Sequence, residues 1–229
     1  MPGYRRSALR KKGRHSKPVE IVVATRNKGK VREIRRALSG LGFKILALGD
    51  FSDVPEIEED GRSFTENALK KARFYSRLLG RLTIADDSGL EVAALNGAPG
   101  IYSARYAGEG ASDRANTRKL LREMEGVPVS KRGARFRCSI AVVAPGGKEI
   151  VVEGACGGRI GFREVGKRGF GYDPVFILPR RKKTVAQLSL EEKNRISHRG
   201  KALRKLRESL GSLRPCRVQD EIVLNFVIC

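Results

Sequence analysis

Four acidic residues stand in two adjacent pairs, Glu58-Glu59 and Asp86-Asp87. Such carboxylates are hard oxygen ligands. Mg²⁺ is commonly held by one or two of them together with substrate phosphates and water. A carboxylate so placed can also orient or deprotonate an attacking water. Neighbouring residues of a strand point to opposite faces. Asp86 and Asp87 therefore share one pocket only if the chain turns sharply there. Before Ser88-Gly89 the pair would serve equally well as turn formers.

Other groups suit an anionic ligand. Thr25-Arg26-Asn27-Lys28-Gly29-Lys30 lies between a strand pattern and a helix pattern, where backbone N–H groups favour anions. Lys28 and Lys30 add charge, Asn27 adds a donor, and Gly29 lets a ligand approach the backbone. The spacing is not that of a Walker loop. Lys70, Lys71 and Arg73 crowd one later helix and would also make an ordinary solvated face. Gly169-Phe170-Gly171-Tyr172-Asp173 offers an aromatic ring flanked by glycines, suited to a flat base or to a packed turn. Lys193 and Ser197-His198-Arg199 complete the set, with His198 as readily structural as catalytic.

The elements that must position these residues follow from periodicity. Val19 to Ala24 reads as a buried strand. Val31, Ile34, Ala37, Leu38 and Leu41 recur at helical spacing, and Gly42 stops the helix. Phe43 to Leu48 reads as a second strand, so the chain opens as an α/β fold. Ser63 and Glu66 have capping-box spacing for a helix to Leu79. Leu82 to Val92 reads as two strands of a hairpin with Ser88-Gly89 at its tip. Ser112 caps a helix. Arg135–Ala144 and Glu149–Ala155 form a hairpin around Pro145-Gly146-Gly147. Residues 157–172 read as a glycine-rich ligand loop. Ser189 with Glu192, and then Ser197, start the last two helices.

Composition sets the outer limits. The chain has 229 residues, 40% hydrophobic and 31% charged, which suits one globular unit or two closely packed lobes. No apolar run is long enough to span a bilayer, and no secretory signal is expected. Four scattered cysteines and two histidines give a zinc site almost nothing to be built from. Free thiols in a reducing compartment, the cytoplasm, are expected. The net charge of +22 attracts polyanions. It gathers in residues 1–18, read as a disordered basic tail able to touch nucleic acid, and again from Arg180 to Arg217. An acidic island, Asp53 to Asp60, lies between them.

Taken in order, ATRNKGK (24–30), FTENALKKA (64–72), ADDSGL (85–90), GAPGIYSARYAG (97–108), GFGYDPVF (169–176) and SHRGKAL (197–203) closely resemble the inosine triphosphate pyrophosphatase family, the bacterial RdgB-like XTP/dITP diphosphatases. The resemblance covers about residues 19–210 and leaves 211–229 as an extension of unknown role. It implies an elongated, twisted mixed β-sheet with flanking helices, in two lobes around a central nucleotide cleft. It implies Mg²⁺-dependent hydrolysis of ITP, dITP or XTP to the monophosphate and pyrophosphate, cleansing the nucleotide pool, by a cytoplasmic homodimer. By the same resemblance Thr25 to Lys30 hold the triphosphate, Lys71 contacts phosphate and Ser88 contacts substrate. Glu59 and Asp87 bind the metal, and Asp87 activates the water. Phe170, Gly171, Tyr172 and Asp173 grip the base, and Lys193, His198 and Arg199 recognise it. Arg26 departs from the small residue often found at its position. Two other readings compete: a nucleic-acid-binding protein that kept the fold, and a Maf-like pyrophosphatase acting on other nucleotides.

Overall fold

The computed structural model describes residues 18–211, 216–218 and 221–223. The expected basic tail, apart from its last residue, and most of the C-terminal extension lie outside the described residues. The chain opens with β1 (Glu20–Val23), α1 (Lys28–Ala37) and β2 (Lys44–Ala47), then α2 (Phe64–Leu79) and β3 (Leu82–Val92). It continues with α3 (Asp113–Glu123), β4 (Gly133–Val143), β5 (Glu149–Ile160), β6 (Phe176–Leu178) and β7 (Lys183–Thr184). Helices α4 (Leu190–Ile196) and α5 (His198–Gly211) follow, and β8 (Cys216–Val218) pairs with β9 (Glu221–Val223) in a separate ladder.

Seven strands make one mixed sheet in the order β2-β1-β3-β4-β5-β6-β7. β1 runs parallel to both neighbours, as a strand–helix–strand opening requires, and the other pairs are antiparallel. Three apolar clusters cover it. One face near β1 packs α1 and α5 through Ile21, Ile34, Leu203 and Leu206. The opposite face packs α2 through Val22, Ala68, Ala72 and Tyr75. The far end of the sheet builds its own core from Leu90, Leu120, Met124, Phe136 and Phe176. The molecule thus has two lobes joined by the long strands β3 and β4.

The helix starts follow the sequence. Ser63, Ser112 and Ser189 each accept the backbone N–H three residues on. Ser189 with Glu192 is a full capping box. At α2 the return arm differs, since Glu66 accepts from Arg62 N–H rather than from Ser63. Two expectations are overturned. There is no hairpin at Ser88-Gly89: β3 is continuous, and Asp86, Asp87, Ser88 and Gly89 pair with Ile140, Ser139, Cys138 and Arg137. Gly89 serves close packing instead of a turn, because a Cβ there would press into the Gly100 carbonyl and lie 2.8 Å from the Phe64 ring. The glycine-rich stretch is also partly strand, since β5 runs on to Ile160.

Helix α5 crosses β5 at Gly154. A Cβ at Gly154 would press into the His198 carbonyl oxygen and lie 2.7 Å from Ala202 N, both backbone atoms that cannot swing away. Gly157, on the other face of the same strand, has nothing within 4 Å. Gly154→Ala is therefore expected to destabilise the protein by about 1–3 kcal/mol through overpacking. Gly157→Ala should stay within about 0.5 kcal/mol of wild type. Urea unfolding of the two variants checks this, and equal losses would contradict it.

Candidate active site

Strand alternation decides the fate of the aspartate pair. The two side chains leave β3 on opposite faces, and both are buried. Asp86 turns toward α1 and α5. Its Oδ2 accepts from Arg199 Nε (3.1 Å) and Nη2 (3.0 Å) and lies 3.2 Å from Lys30 Nζ. Its Oδ1 is buried and finds no partner among the described residues. Burial works to raise this carboxyl, but Lys30, Arg199 and Lys71 outweigh it and hold Asp86 below the usual aspartate range.

Asp87 turns toward α2. Its Oδ2 accepts from Asn67 Nδ2 at 3.0 Å and its Oδ1 from Ser88 N at 2.9 Å. Burial pushes this carboxyl up; Lys71 and Lys30 pull it down, and nearby Glu59 adds to the rise. Lys71 Nζ donates to Glu59 Oε1 at 2.9 Å and to the Asp86 carbonyl at 2.8 Å. Burial opposes the charge on Lys71, yet Asp87, Glu59 and Asp86 together hold its pKa above the ordinary lysine value. Glu59 is itself anchored through its carbonyl by Arg105 Nη2 at 2.8 Å.

Asp87 and Glu59 both line the cleft, and the negative charge of Glu59 adds to the rise of Asp87; such a pair of carboxylates fits a divalent cation. Among the described residues no group of three or more His, Cys, Asp or Glu could hold an ion without help. That donor set suits Mg²⁺, which takes its remaining ligands from phosphate and water, and it does not suit a resident all-protein metal cage.

The Thr25–Lys30 segment is less a loop than a helix start. Asn27 caps α1, its Oδ1 accepting from Gly29 N (2.9 Å) and Lys30 N (3.1 Å). Asn27 thus engages two of the amides expected to face an anion. Thr25 Oγ1 accepts from Asn27 N. Arg26 reaches away to the Val54 carbonyl (3.0 Å) and Glu56 (3.3 Å). Lys28 is exposed, and Lys30 turns inward to Asp86.

A buried ion network holds the aromatic segment against the cleft. Glu33, on α1, pairs with Arg199 Nη1 at 2.8 Å and with Lys193 Nζ at 3.0 Å. Lys193 also donates to Asp173 Oδ2 at 2.6 Å, and that oxygen accepts from Phe170 N at 3.0 Å. The Phe170 ring lies 4.3 Å from Lys193 Nζ and 5.4 Å from the Arg199 guanidinium carbon. Gly171 N donates to Asp113 at 2.7 Å, and the Tyr172 hydroxyl to the Ser103 carbonyl at 2.9 Å. Arg199 Nη2 also reaches Ser88 Oγ at 2.7 Å, so among the described residues only one guanidinium hydrogen, on Nη1, is left without an acceptor. His198 stacks on Phe136 with ring centres 4.6 Å apart. Burial first, and then Arg199 and Lys193, push its pKa well below the ordinary histidine value. A neutral imidazole can donate from one nitrogen and accept at the other; Nδ1 finds no partner among the described residues.

One cleft is lined by Asn27, Lys30, Glu59, Asp87, Ser88, Phe170, Gly171, Tyr172, Asp173, Lys193, His198 and Arg199. Thr25, Arg26, Lys28, Gly29 and Lys71 do not line it. Lys71 sits behind Glu59, and Gly29 lies against the Phe170 ring. The sequence reading missed Glu33, and also Arg105, Asp113, Asn116 and Phe136 in the wall. Only the GAPGIYSARYAG motif signalled Arg105.

Burial acts to raise Glu33, but Arg199 and Lys193 outweigh it and hold its carboxyl below the ordinary range. Its stabilising contribution is therefore fully present above the ordinary glutamate pKa of about 4.3 and is lost as pH falls through the lower folded value. Glu33→Gln, which leaves two buried cations short of a counter-charge, is expected to lose about 3 kcal/mol at pH 7. The gap to wild type should narrow below about pH 4. Urea midpoints across that range test this, and an unchanged midpoint at pH 7 would show that the pairs do not matter.

Residues 21–209 match the model of the Ham1 family. A dITP/XTP pyrophosphatase of Geobacter sulfurreducens is 55% identical over 191 residues, covering 83% of this chain and 96% of that protein. One from Desulforamulus reducens is 52% identical over 196 residues, covering 85% and 97%. Among solved structures, a HAM1 protein from Coxiella burnetii superposes with a TM-score of 0.77 at 43% identity, over 84% of this chain and 98% of that one. A nucleoside-triphosphatase, described as a dITP/XTP pyrophosphatase, from Mycobacterium abscessus gives 0.67 at 44% identity, over 82% and 98%. With a family model spanning nearly all of the described fold and relatives sharing half of its residues, the chain belongs to the Ham1 family.

Proposed function

We propose that the protein hydrolyses non-standard purine nucleoside triphosphates, ITP, dITP and XTP, to the monophosphate and pyrophosphate. The observation that carries this reading is a single cleft lined both by the carboxylates Asp87 and Glu59 and by Phe170, Lys193, His198 and Arg199. The relatives named dITP/XTP pyrophosphatase support the substrate class.

In this mechanism the base lies beside Phe170 and the phosphates extend toward Asp87. A water held by Asp87 attacks the α-phosphorus. A new P–O bond forms, the bond to the α–β bridging oxygen breaks, and pyrophosphate leaves with that electron pair. Asp87, its carboxyl raised by burial, accepts the proton of the water. Lys71 keeps its charge in the buried site and balances Asp87 and Glu59. Mg²⁺, held by Glu59, Asp87 and phosphate oxygens, would supply charge neutralisation on the phosphates.

Base choice follows from donors. A 6-keto purine presents an acceptor to Lys193 and to the spare Arg199 hydrogen, whereas adenine presents its own donor. An unpaired buried donor there costs about 1–3 kcal/mol. A cytoplasmic homodimer that cleanses the nucleotide pool is part of the same proposal and rests on the family resemblance.

Pyrophosphate release from ITP, dITP, XTP, ATP and GTP, with Mg²⁺ and with EDTA, tests the reading. The first three are expected to exceed ATP and GTP by about a hundredfold in kcat/KM, roughly 3 kcal/mol of transition-state binding. Asp87→Asn should lower kcat by about a hundred- to ten-thousandfold without loss of folding. Normal turnover by this variant would remove Asp87 from the mechanism. Preference for pyrimidine triphosphates would favour the Maf-like alternative.

A further inference from the structure

Most of the net charge of +22 has no place in the reaction above; of the cations in the basic run that begins at Arg180, only Lys193 and Arg199 enter the cleft. Part of that surplus is organised. α1 packs against α4 and α5. Two grooves follow the seam, one lined by Arg32, Lys167 and Arg168, the other by Arg36, Arg204 and Arg207. Arg32 and Arg36 stand four residues apart, on successive turns of one helix face. Arg204 Nη1 donates to the carbonyls of Asn194 (3.2 Å) and Arg195 (2.9 Å) at the end of α4. Arg207 Nη1 donates to those of Ala37 (2.8 Å) and Ser39 (2.7 Å) past the end of α1. These neutral partners fix the two guanidiniums without cancelling their charge. The side chains of Arg32, Arg36, Lys167 and Arg168 make no hydrogen bond or ion pair with any described residue. Nearby acids are engaged elsewhere: Glu33 on Arg199 and Lys193, Glu191 on Arg195, Glu192 on Arg181.

We infer that this seam is a docking surface for the phosphate backbone of a nucleic-acid duplex. A row of cations matches a row of phosphates, and guanidinium forks suit phosphate oxygens. Single strands are gripped by stacking on aromatic rings, and membranes by apolar side chains that enter the lipid. Among the described residues the exposed large hydrophobics are Leu78, Tyr102, Val129, Val151 and Phe162, and none of them lines either groove. What remains is backbone recognition without base readout. Lys193 of the cleft also lines the first groove, but the inference rests on Arg32, Arg36, Lys167 and Arg168, none of which is assigned to the reaction, so it can fail or hold independently of the pyrophosphatase reading.

The test is fluorescence anisotropy of a fluorescein-labelled DNA duplex of about 20 base pairs with the full chain, from about 50 to 200 mM KCl. One variant carries Arg32→Gln, Arg36→Gln, Lys167→Gln and Arg168→Gln. A control with equal charge removed elsewhere carries Arg114→Gln, Arg118→Gln, Arg122→Gln and Lys131→Gln. The seam variant is expected to bind at least about tenfold more weakly at 100 mM salt, with the slope of log K against log[salt] reduced by roughly 3–4. The control should lose less than about threefold. Melting curves confirm that both variants fold; if the fourfold seam variant does not, Arg32→Gln with Arg36→Gln should show about half the slope change. Unchanged binding by the seam variant, or an equal loss by the control, would overturn the inference. So would tight binding to vesicles of phosphatidylcholine and phosphatidylserine with none to the duplex.

Discussion

The site depends on one consequence of strand geometry. Two adjacent aspartates in the middle of β3 must leave the sheet on opposite faces. An ionised carboxylate cannot stay buried without compensation, so each face has to supply its own. On the α1 and α5 side Asp86 gathers Lys30 and Arg199. Arg199 brings in Glu33, Glu33 brings in Lys193, and Lys193 brings in Asp173. Anions and cations alternate along this chain and balance. It ties β3, α1, α4, α5 and the Phe170 segment together at one point. Such a network is not an efficient source of stability, because desolvation of each ion offsets most of the attraction. Its effect is positional: with every partner needed, the cleft wall has few alternative arrangements.

The face of Asp87 is compensated differently, and the difference separates structure from chemistry. Asp86 has strong direct partners and is driven toward permanent ionisation. Asp87 receives one side-chain amide bond from Asn67, shares Lys71 with Glu59, and has its carboxyl raised. Environments that push paired titratable groups apart assign their roles. In the proposed reaction the tightly held member is the scaffold. The incompletely compensated one faces the cleft and retains affinity for a proton or a cation.

Much of the frame was legible in the sequence because it depends on local rules. Helix α2 announces itself by Ser63, its apolar period and Gly80 in the left-handed conformation at its end. The β4–β5 hairpin follows from its turn residues. The errors arose where a residue's reason lies far along the chain. Ser88-Gly89 has the composition of a turn, yet Gly89 answers to the Gly100 backbone packed against it. Glu33 reads as one more charge on an amphipathic helix, and its burial is decided by Arg199, 166 positions away. Asn27 was read as a donor to a ligand; its oxygen also accepts from its own helix, a second role that leaves its Nδ2 as a donor beside the cleft. Asp87 was separated from Asp86 only by family resemblance; periodicity showed that they differ, not which of them faces the cleft.

The protein therefore holds two populations of charge that obey different physics. Inside, acids and bases are matched one against another at distances near 3 Å, where water and salt screen little. Outside, cations such as Arg32 and Arg36 have no hydrogen-bond or ion-pair partner among the described residues and face solvent and counterions. The fold cannot depend on this outer set, since exposed charges contribute little even when paired. Added salt accordingly acts selectively: it strips the outer field within a Debye length of about 8–10 Å and leaves the inner network in place. A surplus that the core does not use and the reaction does not absorb acts only on what approaches from outside, and a polyanion is what it attracts.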